Sequence, residues 1–156
     1  MKLAEALILR ADQQKRLEQL KQRLLRNAKV QEGDEPAEDP QALLREFEQV
    51  AAALTRLIQQ INRTNAATAF DTSGTLSDAL ARRDVLRLRQ AAYRSLAEAA
   101  TVEQSRLTRS EVRFLSTVQV KEIQGRADDL AQEYRELDAR IQAANWATEM
   151  QEANPA

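Results

Sequence analysis

The sequence predicts a mainly α protein: four long antiparallel helices in a coiled-coil-like helical bundle, with one short β element near 111–120. Three observations carry this. Apolar residues recur at spacings of three and four over 40–65 and again over 120–146, which places each set on one helix face. Only three glycines and three prolines are spread over 156 residues, leaving little material for turns. Where they do fall, helix-start chemistry accompanies them, as in Asp39-Pro40 and in Gly74 followed by Thr75-Leu76-Ser77-Asp78.

The first helix spans 2–28, with Leu3, Leu7 and Ala11, then Leu17, Leu20, Leu24 and Ala28, on a stripe that Gln14 interrupts. An acidic loop, Glu32 to Asp39, leads to an N-cap aspartate and a proline in the first helical position. The second helix, over 40–65, carries Leu43, Phe47, Val50, Leu54, Leu57 and Ile61, with Leu44, Ala51 and Ile58 widening the stripe. Asn62 and Asn65 suit its end, since Asn tolerates the left-handed conformation found there. Residues 66–74 form the next break. The third helix, over 76–105, opens with a capping box and places Ala81, Val85, Leu88, Ala92, Leu96 and Ala99 on one broad face. The fourth, over 120–146, runs through Ile123, Ala127, Leu130, Tyr134, Leu137, Ile141 and Ala144. Residues 1–150 read as one helical domain and 151–156 as a frayed tail.

Between Glu111 and Lys121 the period changes. Val112, Phe114, Val118 and Val120 alternate with polar residues, which is strand spacing rich in β-branched side chains. A lone strand leaves its backbone groups unsatisfied, so it needs a partner. The partner is either Thr68-Ala69-Phe70 or the same strand in another copy; the alternative is a continuous helix over 106–146. The second pairing makes the chain a homo-oligomer, with Val112, Phe114, Val118, Val120 and Trp146 as candidate contacts.

Composition removes whole classes of chemistry. With no Cys and no His there are no disulfides, no thiolate or imidazole metal ligands, no Cys or Ser–His nucleophile and no histidine switch. No cofactor, no metal and no enzymatic activity are expected. Asp34, Glu35, Glu38 and Asp39 form an acidic loop in which Pro36 and Pro40 break calcium-loop spacing. Asp71-Thr72-Ser73-Gly74 is an interhelical turn rather than an aspartic-protease loop, which lacks the extra residue. Neither a signal peptide nor a membrane span is visible, so a cytoplasmic protein is expected.

Net charge is −1, yet it is a cancellation between segments. Residues 1–31 carry eight bases and three acids, 32–48 seven acids and one Arg, and 128–152 seven acids and two Arg. Segregation of this kind favours oppositely charged segments lying side by side, and the balance argues against a general nucleic-acid binder. On the third helix, Arg82, Arg83, Arg87 and Arg94, with Arg89 between them, form a basic stripe. Such a stripe either pairs with acids on another helix, for which Asp129, Glu133 and Glu136 have matching spacing, or binds an anion or RNA. Aromatics make up only 4% of the chain, and Tyr93 alone lies near the stripe, so base stacking has little to work with.

The strings NAKVQEGDEPAEDP at 27–40, INRTNAAT at 61–68, TLSDALARRDVLRLR at 75–89, RSEVRFLSTVQV at 109–120 and IQAANW at 141–146 stand in one chain. Together they make it resemble, over roughly residues 1–148, a family of small bacterial proteins catalogued as septicolysin. The resemblance implies a predominantly helical protein of uncharacterised function, and the family label implies a pore-forming cytolysin; no catalytic residues come with it. Taken together, the residues predict a self-associating interaction or scaffold protein, with an anion- or RNA-binding module on the arginine stripe as the alternative.

Overall fold

The computed structural model describes residues 1–102 and 112–151. Among them are four helices, α1 (Leu3–Arg26), α2 (Pro40–Ala67), α3 (Leu76–Ala100) and α4 (Val120–Ala147), and a hairpin of β1 (Ala69–Asp71) and β2 (Gly74–Thr75). The chain packs as two compact units, one from Met1–Ala69 with the segment starting at Ala143, the other from Phe70–Gln142. The predicted tail beyond Gln151, and residues 103–105 at the end of the predicted third helix, lie outside the described residues.

In the first unit α1 and α2 run antiparallel. Arg16 bonds Glu46 near the middle of the pair, and Arg23 grips Glu38 at its end through Nε at 3.1 and 3.2 Å and through a terminal nitrogen. The turn is locked by Asn27, whose Nδ2 donates to the Arg23 carbonyl at 2.9 Å while its Oδ1 accepts from Glu38 N–H at 3.0 Å. Asp39 then caps α2 by accepting from Gln41 N–H at 3.0 Å, with Pro40 in the first helical position where no N–H is needed. The α2 stripe is as predicted except at Leu44, which is exposed: Leu43, Leu54, Leu57 and Ile61 are buried, and Phe47, Val50, Ala51 and Ile58 half-buried.

The predicted α1 stripe turns inward at Leu3, Leu7, Leu17, Leu20 and Leu24 and departs at Ala11, with Ala28 beyond the helix end. Leu3, Ala4, Ala6 and Leu20 are buried, but Arg10 and Gln13 take the inner positions and Ala11 and Ala28 are exposed. Residues 148–151 return to the start of α1, with Leu3 N–H donating to Thr148 O and Met150 N–H to Met1 O, each at 2.9 Å. Lys2 and the N-terminal ammonium both hold Glu149. Buried Thr64 on α2 receives Gln151 N–H at 3.1 Å.

In the second unit the β element stands at 69–75, and not near 111–120. Asp71 Oδ1 accepts Ser73 N–H at 2.8 Å, a side-chain turn that folds β2 straight back on β1. Residues 112–119 form no strand, since the predicted partner Ala69-Phe70 is already paired with Gly74-Thr75; Ser116 Oγ instead donates to Val118 O at 2.7 Å. The capping box at Thr75 and Asp78 is present, and α3 stops at Ala100, where Thr101 Oγ1 takes the Ala97 carbonyl at 2.8 Å. α4 begins at Val120, so the alternative of a helix running from 106 is also replaced. Its predicted stripe is the inner face: Ala127, Leu130, Leu137 and Ile141 are buried and Tyr134 half-buried. No helix among the described residues is long and apolar enough to cross a membrane.

Candidate interaction surface of the second unit

Two anchors fix the rotation of α3. On one side Asp71, at the hairpin tip, accepts from Arg82 at 2.8 Å and from Arg140 of α4 at 3.3 Å, with the Arg140 guanidinium 4.8 Å from the Phe70 ring centre. On the other, Arg83 donates to Asp138 of α4 at 2.8 Å, and one turn on Arg87 reaches the Tyr134 hydroxyl at 2.8 Å. Arg83 level with Asp138 and Arg87 level with Tyr134 make α3 and α4 antiparallel. The basic stripe is therefore largely engaged in pairing, although with acids other than those predicted. Asp129, Glu133 and Glu136 are exposed, and among the described residues none of them has a cation within 4.0 Å. The face of α4 explains the difference: Arg83 and Arg87 turn inward to the half-buried Asp138 and Tyr134, while Glu133 and Glu136 lie on its exposed side.

The inward face of α3 is consequently Leu76, Ala79, Arg83, Leu86, Gln90, Tyr93 and Ala97, all buried or half-buried. The apolar stripe that the sequence marks for burial points outward. Val85 is 53% exposed, Leu88 69% and Leu96 42%, while Ala81, Ala92 and Ala99 are exposed as well. Along one flank of this ridge runs an open cleft of about 660 Å³ between α3 and α4. Leu86 and Leu137 lie at its base, Val85 on the ridge side, and five charged side chains around it: Arg82, Arg89 and Arg140 against Glu133 and Glu136. Arg82 and Arg140 are held by Asp71; Arg89, like the two glutamates, has no counter-ion within 4.0 Å among the described residues.

Arg94 sits apart from the cleft, beside Glu98 and Asp128 at a smaller hollow. Of the oligomer contacts predicted from sequence, Val112, Phe114 and Trp146 are exposed, and Val118 and Val120 half-buried. No group of three or more acidic side chains among the described residues is placed to hold a metal ion. Asp71 is the residue that the sequence reading missed. Its only signal was its place in a tight turn five residues before a helix.

The acid dependence of folding follows from these carboxylates. Asp71 is held below the usual carboxylate range first by the Arg82 hydrogen bond and then by Ser73 N–H. Asp78 is lowered by the Thr75 N–H and hydroxyl, Glu38 by Arg23, and Glu149 by Lys2 and the N-terminal ammonium. A carboxyl whose folded pKa is depressed contributes its full stability above the unfolded value, and loses it as pH falls through the folded value. With no histidine to titrate, the thermal midpoint is expected to be flat between about pH 6 and 8 and to fall below about pH 4. Asp71→Asn should melt earlier than wild type at pH 7, and the gap should close in acid; a gap independent of pH would contradict the Asp71–Arg82 account.

The chain is similar to a functionally unknown conserved protein from Corynebacterium diphtheriae, whose crystal structure it matches with a TM-score of 0.91 at 46% identity. The match covers 97% of this chain and 99% of that one, so fold and chain length agree. A comparison with curated proteins finds no match. A family model matches residues 10–150, which take in all but the first turns of α1 and every other element described above, and the chain belongs to that family, the family of unknown function DUF6847.

Proposed function

We propose that this chain is an interaction protein without catalytic chemistry of its own, and that it self-associates through the outer face of α3. The observation that carries the reading is the orientation of α3. Its one continuous apolar stripe, Ala81 to Ala99, is turned away from the chain's own α4. Single exposed leucines are ordinary, but a ridge repeating over about five helical turns exposes contiguous apolar area of the kind that marks an association site. An isologous contact between two copies covers such a ridge on both molecules at once.

The alternative, an anion or RNA surface on the arginine stripe, has less to stand on. Three of its four arginines would first have to leave Asp71, Asp138 and Tyr134.

Sedimentation over a concentration series tests the reading. Wild type is expected to sediment as a dimer and Leu88→Glu as a monomer, with the same helix content by circular dichroism because Leu88 packs against nothing in the core. A Leu88→Glu protein that dimerises like wild type would remove α3 from the interface.

A further inference from the structure

The cleft beside the ridge carries a charge arrangement that the single chain does not use. Arg89 on α3, with Glu133 and Glu136 on α4, line the same open space without forming an ion pair across it. Arg82 and Arg140 at the other end share the single Asp71 carboxylate, which leaves one positive charge there. At the Arg89 end the α3 lip of the cleft is therefore cationic and the α4 lip anionic, with apolar side chains between them.

Resting on the self-association reading above, we propose that the occupant of this cleft is a second copy of the chain. It is placed so that Arg89 of each copy meets Glu133 and Glu136 of the other. Two two-fold arrangements bury the α3 ridge, and charge distinguishes them. If the dyad runs along the cleft, α3 of one copy lies over α4 of the other at the same level. Arg89 then comes opposite the two glutamates, twice by symmetry, and Val85 of each copy lies over the Leu86 and Leu137 base of the other. If α3 instead packs antiparallel on α3, the ridge from Ala81 to Ala99 is centred near residue 90. The dyad then sets the two Arg89 side chains beside each other. Opposed charges across an interface fix its register, whereas like charges in contact are costly, so the first arrangement is the one the surface encodes.

A charge-reversal mixing experiment tests this arrangement separately from self-association itself. Arg89→Glu and the double variant Glu133→Lys with Glu136→Lys change only exposed side chains, and each should melt like wild type. Alone, each places like charges opposite each other on both sides of the dimer, and its dissociation constant should rise at least tenfold in sedimentation. Mixed in equal amounts, the two variants present opposite charges on both sides, and a heterodimer should form with wild-type affinity. If wild type dimerises and Leu88→Glu does not, but the reversals change nothing or the mixture fails to associate, the Arg89–glutamate arrangement is wrong while self-association through α3 stands. If wild type is monomeric throughout, both fall together.

Discussion

Leu20→Ala is expected to lower stability by about 2–5 kcal/mol, the range for removing a buried leucine side chain whose surroundings only partly collapse. Leu20 is fully buried, and it matters more than its single position implies because the inner face of α1 is poor in large apolar groups. Two of the other buried residues of α1 are Ala4 and Ala6, and Arg10 and Gln13 stand between them and Leu17. Little nearby can move to fill the space. For a chain of this length the loss corresponds to a fall in thermal midpoint of roughly 5–15 °C. Leu25→Ala, at a side chain 61% exposed, should stay within about 0.5 kcal/mol of wild type. Thermal melts of the two variants decide whether the inner face of α1 has been correctly placed, and comparable losses would contradict it.

Gly74→Ala is expected to be the most damaging single methyl in the molecule. Gly74 has φ +144°, where L residues are strained, and an added Cβ would stand 2.3 Å from Asp78 Oδ2 and 2.9 Å from its Cγ. The strain alone is worth about 1–3 kcal/mol. The Asp78 carboxylate that must move is the one accepting from Thr75 N–H at 2.7 Å and from its hydroxyl at 2.8 Å, so the cap of α3 is lost as well. Gly125 provides the opposite sign. It lies within α4 with nothing within 4 Å of an added Cβ, so Gly125→Ala should stabilise by roughly 0.5–1 kcal/mol. Denaturant unfolding of both variants checks the pair, and a destabilised Gly125→Ala beside a neutral Gly74→Ala would overturn the account of the hairpin.

Helices α2 and α4 were legible in the sequence because each has one uninterrupted apolar stripe, and apart from Leu44 the predicted inner residues from Leu43 to Ile61 and from Ile123 to Ala144 are buried or half-buried. Caps were legible for a local reason: Asp39, Thr75 and Asp78 act on backbone groups two or three residues away. What the sequence could not convey depends on contacts between elements. On α1 two faces compete around Gln13 and Gln14, and only packing on α2 decides between them. On α3 the apolar stripe is a misleading guide, because Asp71 and Asp138 set the helix rotation through Arg82 and Arg83. Strand alternation at 112–120 is a pattern without a ladder, since β1 takes the nearer partner through a tight turn. The candidate site follows the same rule. Its arginines were visible as a stripe, but their partners are set by the antiparallel register of α3 and α4, which no periodicity specifies.

Sedimentation equilibrium of the wild-type chain beside Leu88→Glu, from low to high micromolar concentration, puts the outward-facing α3 ridge to the test. Wild type is expected to be a reversible dimer and the variant a folded monomer. A wild-type chain that stays monomeric over the whole range, or a variant that dimerises as well as wild type, would contradict it.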